Sequence, residues 1–421
     1  MDKFVIHGGK KLSGGIKING AKNASLALMP ATLLANGKSV LHNTPELNDI
    51  FTMLKLLNHL GAEYSFENHK LELDTSNITS QDAPYEHVKK MRASVYVLGP
   101  LLARYGNAKV SLPGGCAWGP RPINLHLEGL KKMGADIELT EGYIVAKAKK
   151  LKGAKINLDI SSVGATGNLL MAATLANGIT VINNAAKEPE ISNLASFLLK
   201  MGAQIEGIGT STITIQGVDN LYNSEIDTIP DRIEAGTMLI AGAITGGNIR
   251  MSGIKSNFLD SVILKLENSG CKIIKNNNII ELNASKGSII PTDITTSIFP
   301  GYPTDMQAQW IAYMSLADGV STVTDNIYLD RFSHVPELVR LGANISVREN
   351  SALIKGTTKL KGAKVMSTDL RASASLVLAG LAAEGTTEVL RVYHLDRGYQ
   401  RIEEKLKALG ADIERVQGSE Y

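Results

Sequence analysis

Leu60-Gly61-Ala62, Met133-Gly134-Ala135, Met201-Gly202-Ala203, Leu341-Gly342-Ala343 and Leu409-Gly410-Ala411 are five copies of one tripeptide, and Ser269-Gly270-Cys271 is a degenerate sixth. Successive glycines lie 73, 68, 68, 72 and 68 residues apart in a chain of 421. Near-equal spacing over the whole length marks a repeated supersecondary module, and a period of about 70 residues is larger than a solenoid repeat. A second glycine series, Gly37, Gly106, Gly178, Gly246 (or Gly247), Gly319 and Gly385, precedes the first by 23 to 28 residues. Each closes an Ala/Leu-rich stretch such as Ala172-Ala173-Thr174-Leu175-Ala176-Asn177 and opens a β-branched run such as Ile179-Thr180-Val181-Ile182. Glycine there reads as a helix C-cap before a strand. After each Gly-Ala come two strand-like runs, as in Gln204-Ile205-Glu206 and Thr212-Ile213-Thr214-Ile215. The unit reads helix, strand, helix, strand, strand, then a strand leading into the next unit.

Six copies predict an α/β chain of two similar domains with three repeats each, about 22–229 and 230–421. The segment 1–21, with Phe4-Val5-Ile6 and Ile16-Lys17-Ile18, has no unit of its own and could complete either half. A cleft between two such domains is where a ligand is expected. The repeat also explains one of the two cysteines. Cys271 fills a slot that is alanine in the other five copies, so a small buried residue is wanted there.

The other cysteine has no such explanation. It lies in Pro113-Gly114-Gly115-Cys116-Ala117-Trp118-Gly119-Pro120-Arg121-Pro122, where two adjacent glycines and three prolines shape a loop without helical or strand periodicity. Loops of this kind carry binding and catalysis. The Cys116 thiol therefore reads as a nucleophile or proton donor, or as an inert thiol in an ordinary Gly-Pro loop.

Fourteen residues before each glycine of the second series stand Asn23, Arg92, Gly164, Arg232, Asp305 and Arg371. A purely structural slot should hold small or apolar residues, yet four of these six are charged. Helix N-termini present unpaired N–H groups and a positive dipole end, which suits anions and opposes basic side chains. Lys22, Arg92, Arg232 and Arg371 at such ends point to phosphate or carboxylate ligands. The bland alternative is solvated capping, for which Asn23 and Asp305 alone would serve.

Bulk properties narrow the class. A net charge of +3, with 44 basic and 41 acidic residues, is too small to argue for nucleic acid or an acidic membrane surface. Two cysteines make no disulfide framework and suit a reducing compartment. The first residues lack the apolar core of a secretion signal, and no apolar run reaches the roughly 18 to 20 residues that span a bilayer. A soluble, cytoplasmic protein is expected. No metal-ligand cluster and no Walker or dinucleotide glycine motif is present, so neither metal nor cofactor is expected.

Gly20-Ala21-Lys22-Asn23-Ala24, Pro113-Gly114-Gly115-Cys116, Pro303-Thr304-Asp305-Met306-Gln307-Ala308-Gln309, Arg331-Phe332-Ser333-His334-Val335-Pro336-Glu337-Leu338, Asp369-Leu370-Arg371-Ala372-Ser373 and Asp396-Arg397-Gly398-Tyr399 closely resemble the UDP-N-acetylglucosamine 1-carboxyvinyltransferase family, over the full length of the chain. The resemblance implies the two-domain inside-out α/β barrel of the enolpyruvyl transferases, with 1–21 assigned to the second domain. It implies transfer of the enolpyruvyl group of phosphoenolpyruvate to the 3′-hydroxyl of UDP-N-acetylglucosamine with release of phosphate, the first committed step of peptidoglycan precursor synthesis. These two small molecules would be the only partners, with no obligate protein partner and no cofactor. By the same resemblance Cys116 is the proton donor to C3, and as thiolate it forms a covalent adduct with phosphoenolpyruvate. Asp305 is the base or orienting group for the hydroxyl. Lys22, Arg121 and Arg397 hold phosphate and carboxylate, with Arg92, Arg331 and Arg371 nearby. Asn23 positions the reacting centre, and Asp369 is a second carboxylate candidate. Arg121-Pro122-Ile123-Asn124-Leu125 matches the uridine-binding stretch, Ser162-Val163-Gly164 a diphosphate contact, and Ile327 a further nucleotide contact. Taken alone, Ile327 reads as a core strand residue.

Asn124 stands where many members have Asp, and Ile160-Ser161 replaces a Lys-containing pair, both on the nucleotide side. Three other readings compete. The sister reaction on shikimate 3-phosphate uses no catalytic cysteine, which Cys116 argues against. A nucleotide-sugar-binding regulator would not need Lys22, Cys116, Asp305 and Arg397 together. A cysteine hydrolase would need a histidine signature that none of the eight histidines supplies.

Overall fold

The structure is a computed structural model and describes residues 1–89, 91–112, 123–284 and 287–417. The chain divides into two compact units, Gly20–Ile229 and Met1–Asn19 with Pro230–Tyr421. Each has its own hydrophobic core: one is built from residues between Leu26 and Ile226, the other from Phe4 to Ile18 and Ile233 to Ile413.

The six repeats appear as six four-stranded sheets and two classes of helix. The first helix is buried nearly all round in five copies, while Leu98–Tyr105 of the second leaves its last three residues half-buried. In Arg232–Ile244 every residue from Ile233 onward is buried, as is all of Gln307–Met314 and everything from Arg371 to Leu381 in Leu370–Ala382. Lys22–Ala31 and Val163–Ala173 repeat this in the other unit. Alanine, leucine and glycine on every face permit such burial, since no polar stripe has to reach water. The second helices, such as Asn48–His59 and Pro189–Lys200, are amphipathic and bury one face. Helices inside and sheets outside give the inside-out arrangement in each unit.

All twelve glycines of the two series have positive φ, from +60° at Gly246 to +146° at Gly319. That is the left-handed region closed to most residues, and it explains why the spacing survives in the sequence. Gly246 and not Gly247 adopts it.

Strand exchange between copies was only half legible. In one sheet, Ile179–Asn183 pairs antiparallel with Thr212–Gln216, which pairs with Gln204–Glu206 of the same copy. On its other side it pairs in parallel with Lys155–Asn157 of the preceding copy. The last such strand, Glu225–Asp227, pairs with Lys38–His42 of the first copy and closes the ring of three sheets. In the other unit the N-terminal segment does this work twice. Ser13–Lys17 pairs in parallel with Asn248–Ser252, while Asp2–His7 lies between Thr386–Leu390 and Asp412–Gln417.

Cys271 sits where a small buried residue was expected, with its Sγ 3.5 Å from the Tyr313 hydroxyl and burial raising the thiol pKa. Among the described residues no helix is long and apolar enough to cross a membrane.

Candidate active site

The helix-start positions singled out above do lie at helix starts. Arg232 and Arg371 are the first and second residues of their helices, Asn23 the second, Gly164 the second, Arg92 opens the 3-10 turn Arg92–Val97, and Asp305 lies in the turn Thr304–Met306 that leads into Gln307–Met314.

In the unit containing the C-terminal half, Arg371 and the loop residue Arg331 converge on Asp305. Arg331 Nη1 pairs with Asp305 Oδ1 at 2.9 Å and donates to Thr304 Oγ1 at 3.0 Å, and Arg371 Nη2 donates to Asp305 Oδ2 at 2.9 Å. Both arginines are buried, whereas the Asp305 side chain keeps 27% exposure. Arg371 is charged despite its burial, because the Asp305 and Tyr399 oxygens beside it outweigh the desolvation penalty and raise its pKa. Its Nη1 donates to the Tyr399 hydroxyl at 3.1 Å, and that hydroxyl also meets Thr237 Oγ1 at 2.9 Å and Gln309 Nε2 at 3.3 Å. A buried network of this kind fixes the direction of the groups it joins.

A second carboxylate, the buried Asp325, holds the frame around this group. Its Oδ1 accepts from Thr296 Oγ1 at 2.7 Å and from the Ile327 and Tyr328 N–H groups at 2.9 Å, and its Oδ2 accepts from Thr304 Oγ1 at 2.7 Å. Ile327 is therefore a half-buried turn residue beyond the strand Val320–Asp325, not the core strand residue that its sequence alone suggests. Asp369 is the N-cap of Leu370–Ala382, accepting from the Arg371 and Ala372 N–H groups at 2.8 and 3.2 Å. Capping is a sufficient account of it. Arg397 ends the turn Val392–Arg397 and is two residues from Tyr399. Arg232 lies over the Phe299 ring at 5.5 Å.

In the unit Gly20–Ile229, Lys22 begins its helix and its Nζ is 3.5 Å from Asp49 Oδ2, an acid in the first turn of Asn48–His59. A lysine at a helix N-terminus opposes the dipole, and Asp49 offsets that charge. Asn23 is exposed beside it. Arg92 and Gly164 are brought together by His126, which reading by motif missed because the matched stretch stops at Leu125. A Cβ at Gly164 would lie 3.1 Å from His126 Nε2, and Arg92 is close enough to help lower the histidine's pKa. Burial is the larger cause, and together they bring it to about 4. Asn168 Oδ1 accepts from the Gly99 N–H at 2.7 Å, so its Nδ2 donates to Val95 O at 2.9 Å and to His126 Nδ1 at 3.1 Å. The imidazole is thereby neutral, with its proton on Nε2 beside the start of Val163–Ala173. Ser162 caps that helix through Oγ, which accepts from the Ala165 N–H at 3.3 Å, and Val163 O accepts from the Tyr96 hydroxyl at 3.3 Å. Of the uridine stretch, Leu125 is buried core, Ile123 packs against that core, and Asn124 is exposed with Nδ2 3.4 Å from Glu128 Oε1. Ile160 is 58% exposed. Cys116, Arg121 and Pro122 lie outside the described residues. No group of three or more His, Cys, Asp or Glu among the described residues could hold a metal ion.

The chain has relatives in sequence and in fold. Residues 6–406 match the family EPSP synthase (3-phosphoshikimate 1-carboxyvinyltransferase). The chain is 56% identical to a UDP-N-acetylglucosamine 1-carboxyvinyltransferase of Chloroherpeton thalassium, over 100% of this chain and 99% of that one. It is 57% identical to the enzyme of that name in Chlorobium limicola over the whole of both chains. In fold it is similar to the enolpyruvyl transferase NikO from Streptomyces tendae, with a TM-score of 0.89 at 24% identity over 99% of each chain. The EPSP synthase of Acinetobacter baumannii follows at a TM-score of 0.76 and 17% identity, over 99% of this chain and 100% of that one. Full-length identity at this level leaves one assignment: the chain belongs to the EPSP synthase family, on the branch of the UDP-N-acetylglucosamine 1-carboxyvinyltransferases.

Proposed function

We propose that this chain transfers the enolpyruvyl group of phosphoenolpyruvate to the 3′-hydroxyl of UDP-N-acetylglucosamine and releases phosphate, the first committed step of peptidoglycan precursor synthesis. The observation that carries the chemistry is the Asp305 carboxylate, held on its two oxygens by Arg331 and Arg371. The full-length likeness to enzymes named for this acceptor supports its identity.

The reaction is an addition followed by an elimination. A proton goes to C3 of phosphoenolpyruvate while the 3′-oxygen bonds to C2 and loses its own proton. The C2–O bond to phosphate then breaks, C3 gives its proton back, and the enol ether remains on the sugar. Cys116 supplies the proton to C3 and, as thiolate, forms the covalent adduct. A carboxylate fixed from two sides is suited to orient the 3′-hydroxyl by accepting its hydrogen bond, which makes the attack effectively intramolecular. Lys22, Arg121 and Arg397 hold the phosphate and carboxylate, with Arg92 and Arg371 adding positive field, and charge developing at those groups is stabilised without reorganisation. Asn23 positions the reacting centre. Residues 121–125, Ser162-Val163-Gly164 and Ile327 serve the nucleotide. The neutral His126 beside Gly164 suits that site, since it presents an N–H without a second full charge next to Arg92. The reaction needs no cofactor, nucleic acid or obligate protein partner, and its substrates suit a cytoplasmic location.

The acceptor is tested by offering phosphoenolpyruvate with either UDP-N-acetylglucosamine or shikimate 3-phosphate and weighing the products by mass spectrometry. Enolpyruvyl product from the nucleotide sugar alone is expected. Product from shikimate 3-phosphate would favour the sister reaction instead.

A further inference from the structure

The turn that carries Arg397 is short and irregular, and it is bracketed by two non-glycine residues in the left-handed region, Arg391 at φ +59° and Arg401 at φ +44°. Such residues persist only where the surroundings over-determine them. The outside hold comes from Arg415, on the strand Asp412–Gln417. Its Nη1 and Nη2 donate to the two oxygens of Asp396 at 3.0 and 2.6 Å, a planar two-pronged grip on the residue next to Arg397. Its Nε and Nη2 reach Glu403 at 2.8 and 3.4 Å, on the helix that follows the turn. Its Nη1 lies 3.5 Å from Asp2 Oδ2, and the guanidinium sits 5.0 Å from the ring centre of Phe4, its partner in strand register. Three segments distant in sequence thus meet on one guanidinium. An isolated pair at 25% exposure would contribute little, but a two-pronged arginine in a network of three carboxylates fixes geometry.

We propose that Arg415 is a positioning residue for phosphoenolpyruvate binding, acting through Asp396 to aim Arg397. It touches no substrate. The inference rests on the role given to Arg397 above. It also accounts for the three carboxylates, which a lysine could not engage together, because only the guanidinium fork offers donors in the required plane.

The test compares Arg415→Met, Arg415→Lys, Asp396→Asn and Arg397→Met, each checked for fold by circular dichroism. Arg415→Met is expected to raise the KM for phosphoenolpyruvate by about tenfold or more while the KM for UDP-N-acetylglucosamine stays within about twofold, and Arg415→Lys should recover only part of the loss. Asp396→Asn should reproduce the effect, and the double variant with Arg415→Met should be no worse than either single one. If Arg415→Met does not fold, Asp396→Asn alone carries the comparison. A folded Arg415→Met with unchanged KM for phosphoenolpyruvate, or additive effects in the double variant, overturns the inference while leaving Arg397 in its role if Arg397→Met raises that KM. An unchanged KM in Arg397→Met overturns both.

Discussion

Arg371 Nη2 stands 2.9 Å from Asp305 Oδ2, although their positions in the chain are 66 residues apart and each opens the first helical stretch of its own copy of the repeat. The same guanidinium bonds the Tyr399 hydroxyl, so one buried side chain ties two loops to the carboxylate. Replacing Arg371 by methionine removes both bonds, and kcat/KM is expected to fall about a hundredfold or more, as when a fixed electrostatic group is lost from a site. Arg371→Lys should recover little, because one ammonium cannot reproduce the fork. Steady-state kinetics on both variants check this; a lysine variant as active as the parent would contradict it.

His126 and His334 make stability fall on the acid side. Burial lowers both from 6.5 to about 4, so in the folded chain they stay neutral below the pH at which an unfolded histidine takes its proton. Above pH 6.5 neither state binds that proton and the contribution is flat. From about pH 6.5 down to about 4 the unfolded state binds more protons, so the stability of the folded state drops through that window. For His126 the loss approaches about 3 kcal/mol at the acid end. Urea midpoints across this range should slope less steeply in His126→Gln than in the parent, and equal slopes would contradict the account.

Asn168 joins three groups that have no route to water: the Gly99 N–H, the Val95 carbonyl and His126 Nδ1. Asn168→Ala takes the side-chain partner from the Gly99 N–H and His126 Nδ1, while Val95 O still accepts from the Leu98 N–H, and should cost about 2 kcal/mol or more. Gly99→Ala strikes the same network from the other side, since its Cβ would stand 2.3 Å from Asn168 Oδ1 and 2.5 Å from Asn168 O. Chemical denaturation measures both; a change below about 0.5 kcal/mol in either would contradict the role of this network.

Cys116 has a twofold role in the proposed reaction, and substitution separates its parts. Cys116→Ser should lose turnover, because a hydroxyl is too weak an acid to protonate C3. Cys116→Asp retains a proton donor without the soft nucleophile, so it should turn over without forming the covalent adduct. Turnover assays with intact-protein mass spectrometry decide it: full activity in the serine variant would remove Cys116 from acid catalysis.

The parts of the fold that were legible are those where a backbone conformation restricts the residue. Positive φ demanded glycine twice per repeat, and twelve glycines recorded the architecture. Strand exchange left little trace, because strands such as Lys155–Asn157 and Glu225–Asp227 are three residues long and nothing local names the copy they join. The site divides in the same way. Charged residues at a repeated helix-start position stood out against the small residues expected there. Asp325, His126 and Arg415 did not, since each draws its role from partners brought to it only by folding. Asp369 shows the converse: a residue conspicuous by motif whose bonds are those of a helix cap.

The most direct test of enolpyruvyl transfer is phosphate release from phosphoenolpyruvate, measured with and without UDP-N-acetylglucosamine. Catalytic release only when both substrates are present is the predicted result. Folded protein that releases no phosphate from the pair, or releases it equally without the nucleotide sugar, would contradict the central claim.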